Sequence, residues 1–171
     1  MLNFYYRLQD MDFAALMAIY LEGNQENAAD RYPQEPAACG IMLAEQDFYQ
    51  YLRECFFPTP GARYAVWIEN GEYVSALRLE PYQDGLLLEA LETKPEKRQK
   101  RYAKALIRAV LQRLKAQGGT PVYSHVSKRN IASIRTHESC GFRKILDYAV
   151  YADGSVMTGS VTYRYDADGE Q

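Results

Sequence analysis

Between Lys94 and Lys104 six of eleven residues are basic (Lys94, Lys97, Arg98, Lys100, Arg101 and Lys104), against one acid, Glu96. The run straddles the start of a helical pattern, where exposed cations oppose the positive end of the helix dipole by about 0.3–1 kcal/mol each. A bound anion reverses that cost, because free helix N–H groups and Lys and Arg side chains all direct positive charge at it. Without a ligand the same run is a solvated basic face, and charge alone does not separate the two readings. Further on, Asn130, Ser133 and His137 recur at helical spacing, which puts an amide, a hydroxyl and an imidazole on one face. An imidazolium with an ordinary pKa near 6.5 can donate a proton to a departing group, and a histidine there can also simply fill space. His125 reads as structural. Glu89 and Glu92, in the run Leu86 to Thr93, are carboxylates that can serve as a general base or sit as surface or ion-paired groups. Strict alternation puts Glu89, Leu91 and Thr93 on one face and Leu88, Ala90 and Glu92 on the other.

These residues need elements to hold them. Ala103, Leu106, Ile107, Val110, Leu111 and Leu114 fall on one helical stripe over Arg98 to Gln117, closed by Gly118-Gly119. Arg63 to Glu69 and Glu72 to Glu80 read as strands joined at Asn70-Gly71, and Leu86 to Thr93 as a third. Pro121 to Val126 reads as a strand and Asn130 to Cys140 as a short helix. Arg143 to Ala152 and Ser155 to Tyr165 read as a hairpin across Asp153-Gly154. Upstream, Phe4 to Leu8 reads as a strand, followed by a helix from an Asp10 cap to Leu21 and a polar loop through Pro33 and Pro36. A second helix carries Ile41, Ala44, Phe48, Tyr51, Leu52 and Cys55. The order is βααβββαβαββ: an α/β layered domain, a mixed, mostly antiparallel sheet of about seven strands flanked by about four helices.

The segment Thr93-Lys94-Pro95-Glu96-Lys97-Arg98-Gln99-Lys100-Arg101-Tyr102-Ala103 resembles the coenzyme A pyrophosphate loop of the GNAT superfamily of N-acetyltransferases, patterned Arg/Gln-x-x-Gly-x-Gly/Ala. Arg98 and Ala103 match its ends, and Arg101 stands where the pattern has its middle Gly. Asn130 to Phe142 resembles a second GNAT pattern, Asn-x-x-Ala/Ser-x-x-x-Tyr-x-x-x-Gly-Phe, with His137 at the Tyr position. The resemblance covers about Ala65 to Arg164. It implies that acetyl-coenzyme A is co-substrate, lying between the strand that ends at Thr93 and the strand Pro121 to Val126. It implies that Arg98, Gln99, Lys100, Arg101, Tyr102 and Ala103 hold the pyrophosphate, that Leu91 and Thr93 contact thioester and pantetheine through backbone, and that Asn130 and Ser133 line the arm. It further implies that His137 is the acid for the thiolate, that Glu89 faces the acceptor as base, and that the acetyl group passes directly to an amine with no metal.

The chain of 171 residues fits one domain over 1–171, with the first strand and acceptor-side helices in 1–62 and the coenzyme-binding core and C-terminal hairpin in 63–165. Residues 1 to 93 carry 5 Lys/Arg and 15 Asp/Glu, residues 94 to 171 carry 15 and 7, so the chain is acidic first and basic afterwards. Cys39, Cys55 and Cys140 make no CxxC pair, which argues against a disulfide framework or a zinc site. No run approaches the roughly 20 apolar residues of a membrane span, and a secretory leader pattern is missing, so a cytoplasmic protein is expected. The acceptor is expected to be a small-molecule or peptide amine, and a homodimer is left open. Two other readings stand beside transfer: a coenzyme A-binding or sensory module without catalysis, and a nucleic-acid binder. The acidic first half and the lack of aromatic residues interleaved with the basic run oppose the second.

Overall fold

The strongest apolar stripe in the chain forms helix α4, Tyr102–Ala116. Leu106, Ile107 and Val110 are fully buried and Leu111 and Leu114 nearly so. Burying each such side chain stabilises the fold by roughly 1.5–3 kcal/mol relative to leaving it in water. The stripe packs on Leu77, Leu79, Leu86, Leu88 and Val122, one face of a seven-stranded sheet. This computed structural model describes residues 1–167; residues 168–171, the end of the expected domain, lie outside the described residues.

The strands are β1 (Leu2–Tyr5), β2 (Arg63–Glu69), β3 (Glu72–Tyr82), β4 (Gly85–Thr93), β5 (Val122–Ser127), β6 (Arg143–Leu146), β7 (Ala149–Val150), β8 (Val156–Met157) and β9 (Ser160–Tyr165). The main sheet runs β1-β2-β3-β4-β5-β9-β6, antiparallel except at β4–β5. The β2–β3 turn forms where Asn70-Gly71 calls for it, with φ of 50° and 81°. The expected C-terminal hairpin is divided: β9 pairs with β5 and β6, while β7 and β8 make a separate two-stranded arm around Asp153-Gly154.

The opposite face of the sheet is covered by α1 (Phe13–Ile19), α2 (Leu21–Arg31) and α3 (Ala37–Tyr51), and α5 (Ile131–Ser139) completes five α-helices among the described residues, one more than expected. Asp12, not Asp10, caps α1 by accepting from the Ala15 N–H. Before Pro33 and Pro36, which do lie in a loop, the segment read as polar is α2. It escapes detection because only Asn24 and Ala28 on it are buried, and it seats against Gly40 of α3, where an added Cβ would stand 3.5 Å from the Ala28 Cβ. The end of α3 runs into a π-helical turn, Leu52–Phe56.

Two irregularities open the middle of the sheet. Strands β4 and β5 pair only from Leu86–Leu88 to Val122–Ser124 and then part. Beyond that point β4 bulges: Arg78 lies opposite Glu89 but Ala76 opposite Glu92, and Ala90 takes φ 49°. The expected alternation therefore fails. Leu91 joins Leu86 and Leu88 on the α4 side, whereas Ala90 packs into the α1–α3 core.

The β4–β5 junction is tight. A Cβ on Gly85 would stand 2.1 Å from the Pro121 carbonyl oxygen, which accepts from the Leu86 N–H at 3.0 Å. Gly85→Ala should therefore cost about 1–3 kcal/mol, read as a lower melting temperature; an unchanged value would mean the Pro121 segment yields freely.

Candidate functional site

A cavity of about 680 Å³ opens where β4 and β5 part. Its walls include Leu91, Glu92 and Thr93 from β4, Arg98, Gln99, Arg101 and Lys97 from the loop, and Tyr102, Ala103 and Lys104 from the first turn of α4. Asn130, Ala132, Ser133 and Thr136 of α5 close the other side. Lys100 is exposed beside the loop but is not part of the wall.

The loop backbone is left-handed at two positions. Gln99 and Arg101 take φ of 62° and 64°, the left-handed region that favours glycine, so Arg101 holds the conformation for which the usual Gly is suited. No side chain caps α4 at Arg101, which leaves the first-turn N–H groups unpaired at the cavity. Part of the basic run is already neutralised. Lys94 and Lys97 both bond Glu72 at 2.6 Å, drawing its carboxyl down to about 2. Arg98 donates to the Thr93 carbonyl and pairs with Glu22 of α2 at 2.6 Å. Among the described residues Lys100, Arg101 and Lys104 form no ion pair, so the uncompensated cations are those nearest the α4 start.

On α5, Asn130 caps the helix by accepting from the Ser133 N–H at 3.0 Å. The expected polar stripe reaches the cavity only through Asn130 and Ser133. His137 turns inward: it is 1% exposed, edge-on to Phe142 at 5.2 Å and stacked with Tyr163 at 6.2 Å. Its Nδ1 lies 2.8 Å from the Ser133 carbonyl oxygen, so the ring donates there, and its buried Nε2 has no partner. Burial pushes the imidazole pKa below its ordinary value, against a smaller upward pull from the Ser133 carbonyl. With Nδ1 engaged at the Ser133 carbonyl, a proton given toward the cavity would have to come from Nε2, whose protonation burial disfavours.

Glu89 lies on the other face of the sheet, away from the cavity wall. Its carboxylate is 3.4 Å from Arg78, whose guanidinium sits over the rings of Tyr51, Phe56 and Phe48. Burial raises the Glu89 carboxyl; Arg78 pulls it down and neighbouring Glu80 raises it further. Sequence reasoning set aside His125 on β5, whose two ring nitrogens are buried and unpaired. No periodicity or motif marks that state. A second cavity, about 500 Å³, lies between α2 and α3 against Ala28, Tyr32 and Gly40, with no unpaired buried polar atom on its walls. Among the described residues no His, Cys, Asp and Glu cluster could hold a metal ion, and no helix is long and apolar enough to cross a membrane.

The family model described as the acetyltransferase (GNAT) family matches residues 21–142. No curated protein matches the sequence. Among solved structures, the ribosomal-protein-S18-alanine N-acetyltransferase from Escherichia coli is similar at 18% identity and TM-score 0.61, covering 100% of this chain and 98% of its own. PaiA N-acetyltransferase from Thermoplasma acidophilum, in complex with coenzyme A, is similar at 13% identity and TM-score 0.61, over 97% and 99%. Aminoglycoside 6'-acetyltransferase type Ii is similar at 11% identity and TM-score 0.64, over 100% and 99%. At these identities the likeness is one of fold.

Two stability measurements test this geometry. Arg101→Gly removes a side chain from a left-handed backbone and should stabilise the fold by about 0.5–1 kcal/mol; a lower melting temperature would show that the arginine is held by contacts that outweigh the strain. The His137 imidazole is depressed in the folded state and ordinary, near 6.5, in the unfolded chain. As pH falls through the ordinary value the unfolded chain takes up a proton that the folded one refuses, so stability drops. His137→Phe should remove part of that acid-side loss, the rest belonging to His125, which shifts in the same direction. An unchanged slope would mean His137 does not titrate differently on folding.

Proposed function

The chain belongs to the acetyltransferase (GNAT) family, and from that premise we propose that it transfers an acetyl group from acetyl-coenzyme A to an amine by direct attack on the thioester. The observation that carries this reading is the coincidence of three features at one cavity: the parted β4 and β5, the left-handed loop at Gln99 and Arg101, and the uncapped start of α4. Arg101, Lys104 and the first-turn amides would hold the pyrophosphate, with Lys100 and Arg98 at its edge. Thr93 and Leu91 would meet the pantetheine and thioester through their backbone, and Asn130 and Ser133 would line the arm. A backbone N–H near Leu91, aimed at the thioester carbonyl, would stabilise the developing oxyanion.

The acceptor would approach over the α1–α3 side, where residues 1–62 supply the helices, while 63–165 form the coenzyme half of the same domain. Glu89, paired with Arg78, would receive the acceptor's ammonium there. A small molecule or a peptide N-terminus fits this chemistry, as does work in the cytoplasm, where acetyl-coenzyme A is at hand. His137 would serve as a positioning residue that fixes α5, and the leaving thiolate would take its proton from the attacking amine through water. The inward turn of His137 also favours a second reading, a coenzyme-binding module without turnover.

Calorimetric titration with acetyl-coenzyme A, coenzyme A and an RNA oligomer separates the readings. Both coenzymes should bind with a dissociation constant on the order of micromolar and the RNA should give no heat; no response to either coenzyme would sink the proposal. Thiol release across an amine panel then distinguishes transferase from binding module. Glu89→Gln should raise KM for the amine about tenfold, equivalent to about 1.4 kcal/mol, with coenzyme affinity unchanged; equal KM would remove Glu89 from the acceptor site.

A further inference from the structure

His125 follows Ser124, the last β5 residue paired with β4, as Glu89 follows Leu88, the last β4 residue paired with β5. Val122 and Val126 point into the α4 core, and Tyr123 packs with Tyr82 and Leu87 on the reverse face. By alternation His125 shares that reverse face, and its ring meets Tyr82 edge-on at 5.4 Å. Glu89 reaches Arg78 on the same side. The two residues thus lie one step past the last β4–β5 pair, on the face of the sheet opposite the coenzyme cavity.

Neither ring nitrogen of His125 has a partner, though both are buried. Leaving a buried polar atom unpaired costs about 1–3 kcal/mol, and a phenylalanine would fill the same space between aromatic rings without it. Tyr151 closes the second side at 5.0 Å, carried just past β7 on the small arm. That arm is latched to β3, since the Tyr82 hydroxyl donates to the Val150 carbonyl at 2.5 Å. An imidazole kept unpaired and walled by rings where β5 leaves β4 is a proton acceptor in waiting.

We propose that His125 is the general base of the reaction, an inference that rests on the acetyl-transfer reading above. A nitrogen of the neutral ring takes one proton from the acceptor's ammonium, and the freed amine attacks the thioester carbon. The C–N bond forms and the C–S bond breaks, the electron pair of the latter leaving on sulfur. The remaining surplus N–H proton passes through water to the thiolate, and the imidazolium returns its proton to solvent. Desolvation lowers the His125 pKa, so the ring is neutral at neutral pH. The titratable groups around it are the Tyr82 and Tyr151 hydroxyls, Tyr123 with Asp84 and Arg164 at its phenol, and Glu89 across the gap.

Wild type, His125→Gln and Glu89→Gln are compared for thiol release from acetyl-coenzyme A with spermidine, tyramine and an alanine-initiated peptide, and with water alone, from about pH 5 to about pH 9. His125→Gln should lower kcat about 100-fold, leave the coenzyme A dissociation constant within about twofold, and abolish the acid limb of the pH profile, which Glu89→Gln retains. Loss of that limb in Glu89→Gln instead, or turnover by His125→Gln within about threefold of wild type, overturns the assignment. Coenzyme binding without thiol release to any amine or to water overturns it while leaving the coenzyme site standing; no coenzyme binding overturns both readings. Should His125→Gln fail to fold, the imidazole resonances of the wild type serve: the His125 signals should move on addition of acetyl-coenzyme A, and signals that stay fixed overturn the proposal.

Discussion

Strands β4 and β5 run parallel for three pairs, Leu86–Leu88 against Val122–Ser124, and the site exists because they do not continue. A closed sheet would satisfy more backbone groups, so something must hold the strands apart. The Ser124 hydroxyl donates to the Leu88 carbonyl at 3.1 Å at the last shared level. Two residues further, the bulge at Ala90 turns its carbonyl toward α1, where the Tyr20 hydroxyl donates to it at 2.7 Å. The Tyr20 hydroxyl, at the α1–α2 junction, therefore satisfies a carbonyl that a regular ladder would have engaged. The same bulge sends Leu91 to the α4 side and Ala90 into the other core, so one backbone distortion sets both which side chains meet the cavity and where the sheet opens.

Charge in the loop is arranged by subtraction. Glu72 takes up Lys94 and Lys97, and Glu22 and Glu92 lie against Arg98. These ion pairs are largely exposed and individually worth little to stability. Their effect is on where the positive potential remains, which is at Lys100, Arg101 and Lys104 beside the unpaired amides of α4. The acidic first half of the chain thus interleaves with the basic second half at the loop, and the asymmetry seen along the sequence is partly cancelled in space.

What could be read from the residues follows from how strongly each pattern is tied to burial. The α4 stripe, the Asn70-Gly71 turn and the strand-loop-helix order were legible because apolar spacing and turn chemistry specify them directly. Helix α2 was not, since it buries little more than Asn24 and Ala28 and gains its place by fitting against Gly40. The division of faces on β4 was misread because alternation presumes an unbroken pleat, and no residue type announces the bulge at Ala90. The cavity-lining loop residues Arg98, Gln99, Arg101, Tyr102 and Ala103, and Asn130 and Ser133 at the start of α5, could be named from motif spacing, but the inward turn of His137 depends on Phe142 and Tyr163, contacts made only in the folded chain.

The two histidines show how little residue type alone decides. His137 sits one helical turn beyond Ser133, and the carbonyl there fixes its Nδ1 as a donor; with Phe142 edge-on and Tyr163 stacked against it, the ring packs as an aromatic with one internal tether. Its motif position marks it for chemistry, while its contacts turn it inward. His125 has no motif position, and its ring neighbours Tyr82 and Tyr151 pack edge-on without giving either nitrogen a hydrogen-bond partner. A strand residue cannot return a bond to its own backbone one turn away as a helical one can, so an unpaired imidazole there must either find a partner across the sheet or await one from outside. Because β5 has already left β4 at that level, no strand partner exists on that side, and the opening of the sheet is also what leaves His125 without one.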